Sequence, residues 1–158
     1  ILATPLQLAM AYSGLANKGV IYQPQFIQPE DEKSFEPKKV AEIQLSDNKA
    51  WEKMEQALVD VISARNGTAH KVFDPNSAVI AGKTGTAQIK SILPGKEYDA
   101  IRENPALRDH ALFVGYGPLK DPKLVVAVII ENGESGSEVA APIVKSAINF
   151  YTGRLDAK

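Results

Sequence analysis

Three strand-like segments follow one another in the second half of the chain, and no helical pattern separates them. They are Ala78–Gln88, Ala111–Tyr116 and Leu124–Glu131, each carrying a run of apolar residues. Parallel neighbours need a crossover connection, usually an α-helix, whereas antiparallel strands can be joined by turns and loops. The sequence therefore predicts an antiparallel sheet, with Pro118–Lys123 as the hairpin turn between its last two strands.

A helix is predicted near the start of the chain. Thr4 is a suitable cap, Pro5 suits the first helical position, and Gln7 completes a capping box. Apolar residues then recur at helical spacing. Lys18-Gly19 predicts the end of this helix, because glycine takes the left-handed conformation that closes many helices.

Two further helices are predicted, one before and one after the strands. The first covers about 47–65 and stops at Asn66-Gly67, and the second covers roughly 138–151 and is closed by Thr152-Gly153. The residues expected to face the core from these helices are Trp51, Met54, Leu58, Val61, Ile62, Ile143, Val144, Ala147, Ile148 and Tyr151. The order helix, helix, three strands, helix predicts an α+β fold in which the sheet packs against helices.

Composition excludes several classes of function. The 158 residues carry a net charge of −1, so there is no electrostatic case for a nucleic-acid partner. Cysteine is absent, which excludes disulfides and thiol catalysis, and two histidines, His70 and His110, are too few for a histidine-rich metal site. The longest apolar run, Leu124–Ile130, is far too short to span a bilayer.

Two polar segments are predicted as loops. Residues 28–40 are charged and contain Pro29 and Pro37, which favours an exposed loop. Residues 89–110 carry few apolar side chains and form an uncommonly long connection between strands. Because loops of that length are often functional, we expect this one to shape the mouth of a site or to contact a partner.

The most informative segment is the strand that runs from Ala78 into Gly82-Lys83-Thr84-Gly85-Thr86. Lys83 supplies a point charge, and the hydroxyls of Thr84 and Thr86 lie on one side because side chains alternate along a strand. Gly85 has no Cβ, so a ligand or another backbone can come close. Such a strand edge can hold an anionic, peptide-like ligand.

Two other interpretations of this segment are weaker. A phosphate-binding loop would need a glycine where Ser77 stands and a helix start after Thr84, and neither is present. We therefore reject that interpretation. Lys-Ser/Thr-Gly also occurs by chance in roughly one chain in ten of this length, so the tripeptide alone is weak. Its place on a strand, with Thr86 two residues further on, strengthens it.

Lys-Thr-Gly is one of three sequence elements shared by penicillin-binding proteins and class A β-lactamases. The chain resembles the C-terminal part of the transpeptidase domain of class B penicillin-binding proteins, and most closely the elongation-type group, penicillin-binding protein 2. The segments that carry this resemblance are Ala3–Ala9, Gly67-Thr68-Ala69, Ala81–Gln88 and His110–Tyr116. The resemblance implies a β-lactamase/transpeptidase-like fold, with residues 1–158 contributing about three strands to a larger five-stranded sheet.

The resemblance also implies an activity, in which a serine attacks the D-alanyl-D-alanine bond of a peptidoglycan stem peptide and the acyl group passes to an amine. β-Lactams acylate the same serine. In this family Lys83 would organise the active-site hydroxyls, and Thr84 and Thr86 would hydrogen-bond the ligand carboxylate. The N–H of Thr86 would be an oxyanion-hole donor, and Gly85 would keep the strand edge clear. A carboxylate favours such donors, as a developing oxyanion favours a fixed N–H.

The nucleophile of that chemistry is missing from the chain. Ser46-Asp47-Asn48-Lys49 contains both Ser-x-x-Lys and Ser-Asp-Asn, but one short segment cannot occupy two corners of a site. We interpret Ser46 or Asp47 as a cap of the second helix. The isolated chain is therefore predicted to be an inactive fragment of a serine-type D,D-transpeptidase.

Two alternatives remain open. The chain could belong to a D,D-carboxypeptidase or β-lactamase relative that uses the same strand. It could also be a non-catalytic sensor or scaffold module that keeps the penicillin-binding fold. A Ser-x-x-Lys helix ahead of Ile1 would distinguish an enzyme from a module.

The resemblance further implies partners and a location. The partners are peptidoglycan stem peptides, β-lactam antibiotics, the missing N-terminal half of the domain and proteins of the cell-elongation machinery. The intact protein is expected to be anchored in the cytoplasmic membrane, with this domain outside the cytoplasm and acting in cell-wall synthesis and cell shape. No metal or organic cofactor is implied.

Three other titratable residues lie at strand ends and turns. His110 stands at the start of a predicted strand, and Glu131 and Glu134 flank a turn. We interpret His110 as a packing or surface residue. We interpret the two glutamates as solvated, since charged residues in turns are usually exposed.

Overall fold

The computed structural model describes residues 3–27, 36–73, 80–89 and 104–156. In chain order the elements are α1 (Pro5–Ala16), β1 (Val20–Tyr22), β2 (Lys39–Glu42), α2 (Lys49–Ser63), β3 (Ala81–Ala87), β4 (His110–Gly117), β5 (Leu124–Ile130) and α3 (Ala141–Asp156). A short 3₁₀ helix, Pro105–Leu107, precedes β4, and a π-helical turn, Gly136–Ala140, leads into α3. The predicted α+β class is confirmed.

The central sheet has the strand order β3-β4-β5, and both pairs are antiparallel. Ala81 lies opposite Tyr116 and Ala87 opposite His110, so the whole of β3 is paired with β4. The antiparallel prediction is thus confirmed. The predicted strand begins at Ala78, but residues 78 and 79 lie outside the described residues.

Each face of this sheet has its own apolar core. Phe113 of β4 packs with Val144 and Ile148 of α3, and all three are at most 1% exposed. Tyr116, three positions further along β4, packs on the other side with Leu58 of α2 and with Tyr12 of α1. Because side chains alternate along a strand, Phe113 and Tyr116 point to opposite faces. We call these the α3 face and the α1 face.

The start and end of α1 follow the predicted signals. The Thr4 hydroxyl accepts a hydrogen bond from the N–H of Gln7 at 3.2 Å, and the Gln7 side chain accepts from the N–H of Thr4 at 2.8 Å. Lys18 and Gly19 have φ values of 50° and 103°, which turn the chain out of the helix and into β1.

The predicted core faces of the later helices are only partly correct. Leu58 and Ile62 of α2 and Val144 and Ile148 of α3 are buried, as predicted. Three other residues of the predicted faces are exposed in the described structure: Met54, Ile143 and Tyr151. The buried stripe of α3 is shifted from the predicted one, since Ala141 and Ala140 just before it are fully buried.

Two boundaries differ from the predictions. Residues 39 and 40 were expected in a loop but belong to β2, which pairs antiparallel with β1. All four residues of β2 are exposed, so no alternation of apolar side chains marks the strand. The helix α3 continues beyond the predicted stop at Thr152-Gly153 to Asp156, because glycine permits a helix to end but does not require it.

Candidate active site on the edge strand

The strand β3 is buried at its start and exposed toward its end. Ala81 and Gly82 are buried, whereas Lys83 and Thr86 are exposed and Thr84 is half-buried. Among the described residues β3 pairs with β4 only, so its other edge has no strand beside it. The strand is therefore anchored at one end and accessible at the other.

The side chains of the Lys-Thr-Gly-Thr segment divide between the two faces of the sheet. Thr84 lies opposite Phe113, and it lines the same cavity as Thr86 on the α3 face. Lys83 lies opposite Val114 on the α1 face. Thr84 and Thr86 are two positions apart, so their hydroxyls lie on the same face, as predicted. The side chain of Lys83 starts on the opposite face.

The two threonines line an open cavity of about 520 Å³. Its other walls are Thr68, from the turn after α2, and the segment 133–138 that follows β5. The Thr68 and Thr84 hydroxyl oxygens are 3.0 Å apart, and those of Ser135 and Ser137 are 3.3 Å apart. Five hydroxyl groups line the cavity and can both donate and accept hydrogen bonds, and Glu134 and Glu138 line it as well. We call it the hydroxyl cavity.

The lysine side of β3 is narrower and more apolar. A cavity of about 130 Å³ lies there between Lys83, Gly85 and the α1 residues Leu8 and Tyr12. A Cβ atom at Gly85 would lie 3.3 Å from the Cβ of Leu112, which is closer than an ordinary contact, so a side chain at this position would press against β4. The Lys83 ammonium donates to the Thr84 carbonyl at 2.9 Å, which brings its charge back to the strand that carries the hydroxyls.

The segment 133–138 lies directly on the backbone of the sheet. A Cβ atom at Gly136 would come within 2.3 Å of the Leu112 carbonyl oxygen and 2.8 Å of the Gly85 carbonyl oxygen. Real side chains do not tolerate such distances, so this position requires glycine. Gly136 therefore holds one wall of the hydroxyl cavity against β3 and β4.

Hydrogen bonds from the residues before β4 fix the start of this wall. The ring nitrogen Nδ1 of His110 accepts from the N–H of Asn132 at 3.0 Å, and the Asp109 carbonyl accepts from the N–H of Glu134 at 2.8 Å. Asn132 and Glu134 have φ values of 55° and 63°, a conformation that such contacts support. His110 thus has the packing role that was predicted.

The glutamates around the turn differ from each other. Glu131 is exposed, as predicted. Glu134 is only partly exposed, and its carboxylate oxygen lies 3.9 Å from Nε of Arg108, so the solvated interpretation was wrong for this residue. The turn that carries Glu134 folds over the sheet edge, which the local sequence does not reveal.

Two tyrosines on the α1 face are shielded from water. Burial, with a smaller contribution from the Glu55 carboxylate, raises the pKa of Tyr116 to about 12. Burial also raises the pKa of Tyr12, which lines the cavity beside Lys83. Both phenols therefore stay neutral at physiological pH and do not offer a phenolate to the lysine.

The Ser46–Lys49 segment lies at the start of α2. The carboxylate of Asp47 accepts a hydrogen bond from the N–H of Lys49 at 2.9 Å, as a residue at a helix start does. Ser46 is exposed and lines neither of the two cavities beside β3. The geometry thus favours the capping interpretation, with Asp47 as the residue that caps.

Sequence reasoning missed the residues that complete the hydroxyl cavity. Thr68 lies 16 positions before Thr84, and Ser135 and Ser137 lie some 50 positions after it. The Gly67-Thr68-Ala69 resemblance was the only signal for Thr68. Within the described ranges no group of three or more His, Asp or Glu side chains could hold a metal ion, and no helix is long and apolar enough to cross a membrane.

Solved structures place this architecture in a known class. The chain aligns with the PBP2 of Pseudomonas aeruginosa, solved with WCK 5153, at a TM-score of 0.70 and 39% identity, covering 94% of this chain and 30% of that one. It aligns with the PBP2 of Helicobacter pylori, solved in complex with MreC, at a TM-score of 0.68 and 27% identity, covering 95% and 25%. The fold is therefore the β-lactamase/transpeptidase-like fold, as predicted.

A family model narrows this class. Residues 1–149 match the penicillin-binding protein transpeptidase domain. The chain belongs to this family, and its resemblance to penicillin-binding protein 2 is confirmed by relatives as well as by structures.

Among curated relatives, the peptidoglycan D,D-transpeptidase MrdA of Haemophilus influenzae is 36% identical over 94% of this chain and 24% of its own length. The MrdA of Acinetobacter baumannii is 39% identical over 94% of this chain and 22% of its own length. The chain thus spans about a quarter of the length of these relatives.

Proposed function

We propose that residues 1–158 are the C-terminal portion of the transpeptidase domain of a peptidoglycan D,D-transpeptidase, and that they supply its substrate-binding edge. The observation that carries this proposal is β3 itself. One exposed strand segment brings an ammonium group next to the Thr84 carbonyl and presents two hydroxyls to an open cavity. Charge and hydroxyl donors together favour a carboxylate ligand, such as the end of a stem peptide or a β-lactam.

Lys83 acts as the positive centre of this site. Its side chain is exposed, and its Nζ donates to a neutral carbonyl oxygen, that of Thr84. A carboxylate that binds beside it gains a charge-assisted hydrogen bond. Lys83 also organises the hydroxyl groups that approach the same edge, including those of a nucleophile supplied by another segment.

Thr84 and Thr86 recognise the carboxylate through their hydroxyls. Both line the hydroxyl cavity, and a hydroxyl donates one proton in a direction that its rotation can adjust. Gly85 between them adds no side chain to the strand. A ligand backbone can therefore approach the strand closely at this point.

The N–H of Thr86 serves as an oxyanion-hole donor. Along an antiparallel edge strand every second residue turns its N–H and C=O away from the neighbouring strand. The contact of Lys83 with the Thr84 carbonyl indicates that Thr84 is one of these residues, and Thr86 is then the next. A fixed donor of this kind stabilises the negative oxygen that forms when a carbonyl is attacked.

The nucleophilic serine lies in another segment of the intact protein. Ser46 is exposed at the start of α2 and outside both cavities that flank the edge strand. The curated relatives are about four times as long as this chain, which leaves room for that segment. The intact protein is anchored in the cytoplasmic membrane with this domain outside the cytoplasm, and its partners include the elongation machinery, as the MreC complex of the Helicobacter pylori relative supports.

Mass spectrometry after incubation with benzylpenicillin tests this function. The full-length protein should gain the mass of one β-lactam, whereas the isolated 158-residue chain should not. The Ser46→Ala variant of the full-length protein should be acylated like the wild type. Reversible binding without an adduct in the full-length protein would instead support a non-catalytic module, and an adduct on Ser46 would overturn the assignment of the nucleophile to another segment.

A further inference from the structure

Thr68 links the site to a part of the chain outside the Lys-Thr-Gly strand. Its hydroxyl oxygen lies 3.0 Å from the Thr84 hydroxyl oxygen, and the two residues are 16 positions apart. Thr68 is exposed and lines the hydroxyl cavity together with Thr84 and Thr86. The contact therefore forms within the cavity and not in the core.

The turn that carries Thr68 is held in place on both sides of it. The N–H of Gly67 donates to the Ala64 carbonyl at 2.7 Å, and the N–H of Ala69 donates to the Val61 carbonyl at 3.0 Å. Ala69 is 1% exposed, and a Cβ atom at Gly67 would lie 2.3 Å from the Asp60 carbonyl oxygen. The end of α2 thus fixes the Thr68 backbone, so its hydroxyl meets Thr84 from a constant direction.

Hydroxyl chemistry gives this contact a direction when a ligand is bound. A carboxylate can only accept hydrogen bonds, so Thr84 must donate its single proton to it. The Thr84 oxygen can then still accept, and Thr68 is the neighbour placed to donate to it. A hydroxyl that accepts one hydrogen bond is also a better donor for the next.

We propose that Thr68 is a positioning residue that orients the Thr84 hydroxyl toward the ligand carboxylate. This inference rests on the proposed function, because it requires that Thr84 binds a carboxylate. Thr68 does not need to touch the ligand itself. Its effect should therefore depend on Thr84 and on the presence of a carboxylate in the ligand.

A double-mutant cycle in the full-length protein tests the inference. The second-order rate of acylation by benzylpenicillin is measured for Thr68→Val, Thr84→Val and the double variant, and again with benzylpenicillin methyl ester. Thr68→Val should lower the rate with benzylpenicillin by about 3- to 10-fold, the size of one hydrogen bond. It should change the rate with the ester less, and it should add nothing in the Thr84→Val background.

Two further variants separate positioning from a general loss of structure. Thr68→Ser keeps the hydroxyl and should retain most of the wild-type rate. Thr152→Val removes a hydroxyl that bonds within α3, remote from the strand, and should not alter acylation. The thermal midpoints of Thr68→Val and wild type should agree within a few degrees.

The outcomes also separate this inference from the proposed function. If the wild type is not acylated, the proposed function fails and the inference fails with it. If Thr84→Val slows acylation but Thr68→Val does not, only the inference is overturned. It is equally overturned if the two effects add, or if acid and ester are affected alike.

Discussion

The two faces of β3 border cavities of different size and chemistry, although they belong to one strand of seven residues. On the α3 face, Thr84 and Thr86 open into a cavity of about 520 Å³ rich in hydroxyls. On the α1 face, Lys83 and Gly85 border a cavity of about 130 Å³ with mostly apolar walls. A three-residue motif on a strand therefore cannot present all its side chains to one side.

What unites the two faces is the strand edge. The Lys83 ammonium reaches the Thr84 carbonyl, so its charge lies near the hydroxyls even though its stem starts on the other face. In the proposed site the motif therefore contributes both backbone groups and side chains. Four predictions test this comparison, one at each of four positions, and they follow from the largest expected effect to the smallest.

The strand edge should be tested first through the N–H of Thr86. Thr86→Pro removes the N–H, and an outward N–H on an edge strand makes no ladder hydrogen bond, so the sheet should tolerate proline there. Acylation of the full-length protein by benzylpenicillin should fall about 100- to 1000-fold. Thr86→Val removes only the hydroxyl and should cost about 10-fold. Equal rates for both variants, with unchanged thermal midpoints, would contradict the role of the N–H.

The wall of the α3 face should be sensitive to any side chain at Gly136. Gly136→Ala forces a methyl group to within 2.3 Å of the Leu112 carbonyl oxygen, and we expect a loss of about 3 kcal/mol in the free energy of unfolding. Gly153→Ala is the matched control, since a Cβ atom at this position of α3 would contact no neighbouring group of the described residues within 4 Å. That variant should be neutral or more stable by up to about 1 kcal/mol. Similar thermal shifts for both would show that the close approach is absent.

The charge of the α1 face should matter for anionic ligands. Lys83→Met should slow acylation by benzylpenicillin about 100-fold, because a charge-assisted hydrogen bond is lost. Lys123→Met removes an exposed lysine that pairs with Asp121 at 2.6 Å in the hairpin turn, and it should leave the rate unchanged. A rate for Lys83→Met within twofold of wild type would show that the ammonium does not contribute to this site.

The buried tyrosine of the α1 face should make stability fall at alkaline pH. The pKa of Tyr116 is about 12 in the folded protein and about 10 in the unfolded chain. The free energy of unfolding therefore falls as the pH rises from about 10 through 12, by an amount on the order of 1 kcal/mol. Denaturant unfolding at several pH values should show a smaller alkaline loss for Tyr116→Phe, whereas Tyr22→Phe, on exposed β1, should keep the full loss. If Tyr116→Phe loses as much stability at alkaline pH as the wild type, the raised pKa of Tyr116 is not the cause of the loss.

The elements that the sequence predicted well are those whose signals are local. The cap at Thr4 and the strands Ala111–Tyr116 and Leu124–Glu131 were predicted to within a residue or two, because capping and apolar runs act between near neighbours. The hydroxyl face of Thr84 and Thr86 followed from the same alternation. By contrast, β2 has no apolar pattern because all its residues are exposed.

The rest of the site could not be predicted from local sequence patterns, because segments far apart in the chain form it. No pattern near Thr68 in the sequence predicts that its hydroxyl contacts that of Thr84. The position of Gly136 against Gly85 and Leu112 likewise depends on how distant segments pack together. The stop predicted at Gly153 failed because glycine permits a helix to end but does not require it. The predicted loop 89–110 lies mostly outside the described residues, so its role in the site stays a prediction.

The close packing of Gly136 limits how far the hydroxyl cavity can adapt to ligands of different size. The backbone at Gly136 lies against the carbonyls of Leu112 and Gly85. The segment 133–138 is therefore packed rigidly against β3 and β4. The turn after α2, on the opposite side, is also held, because the N–H groups of Gly67 and Ala69 donate to carbonyls at the end of α2. A cavity whose walls are set in advance on both sides selects ligands by fit and not by rearrangement.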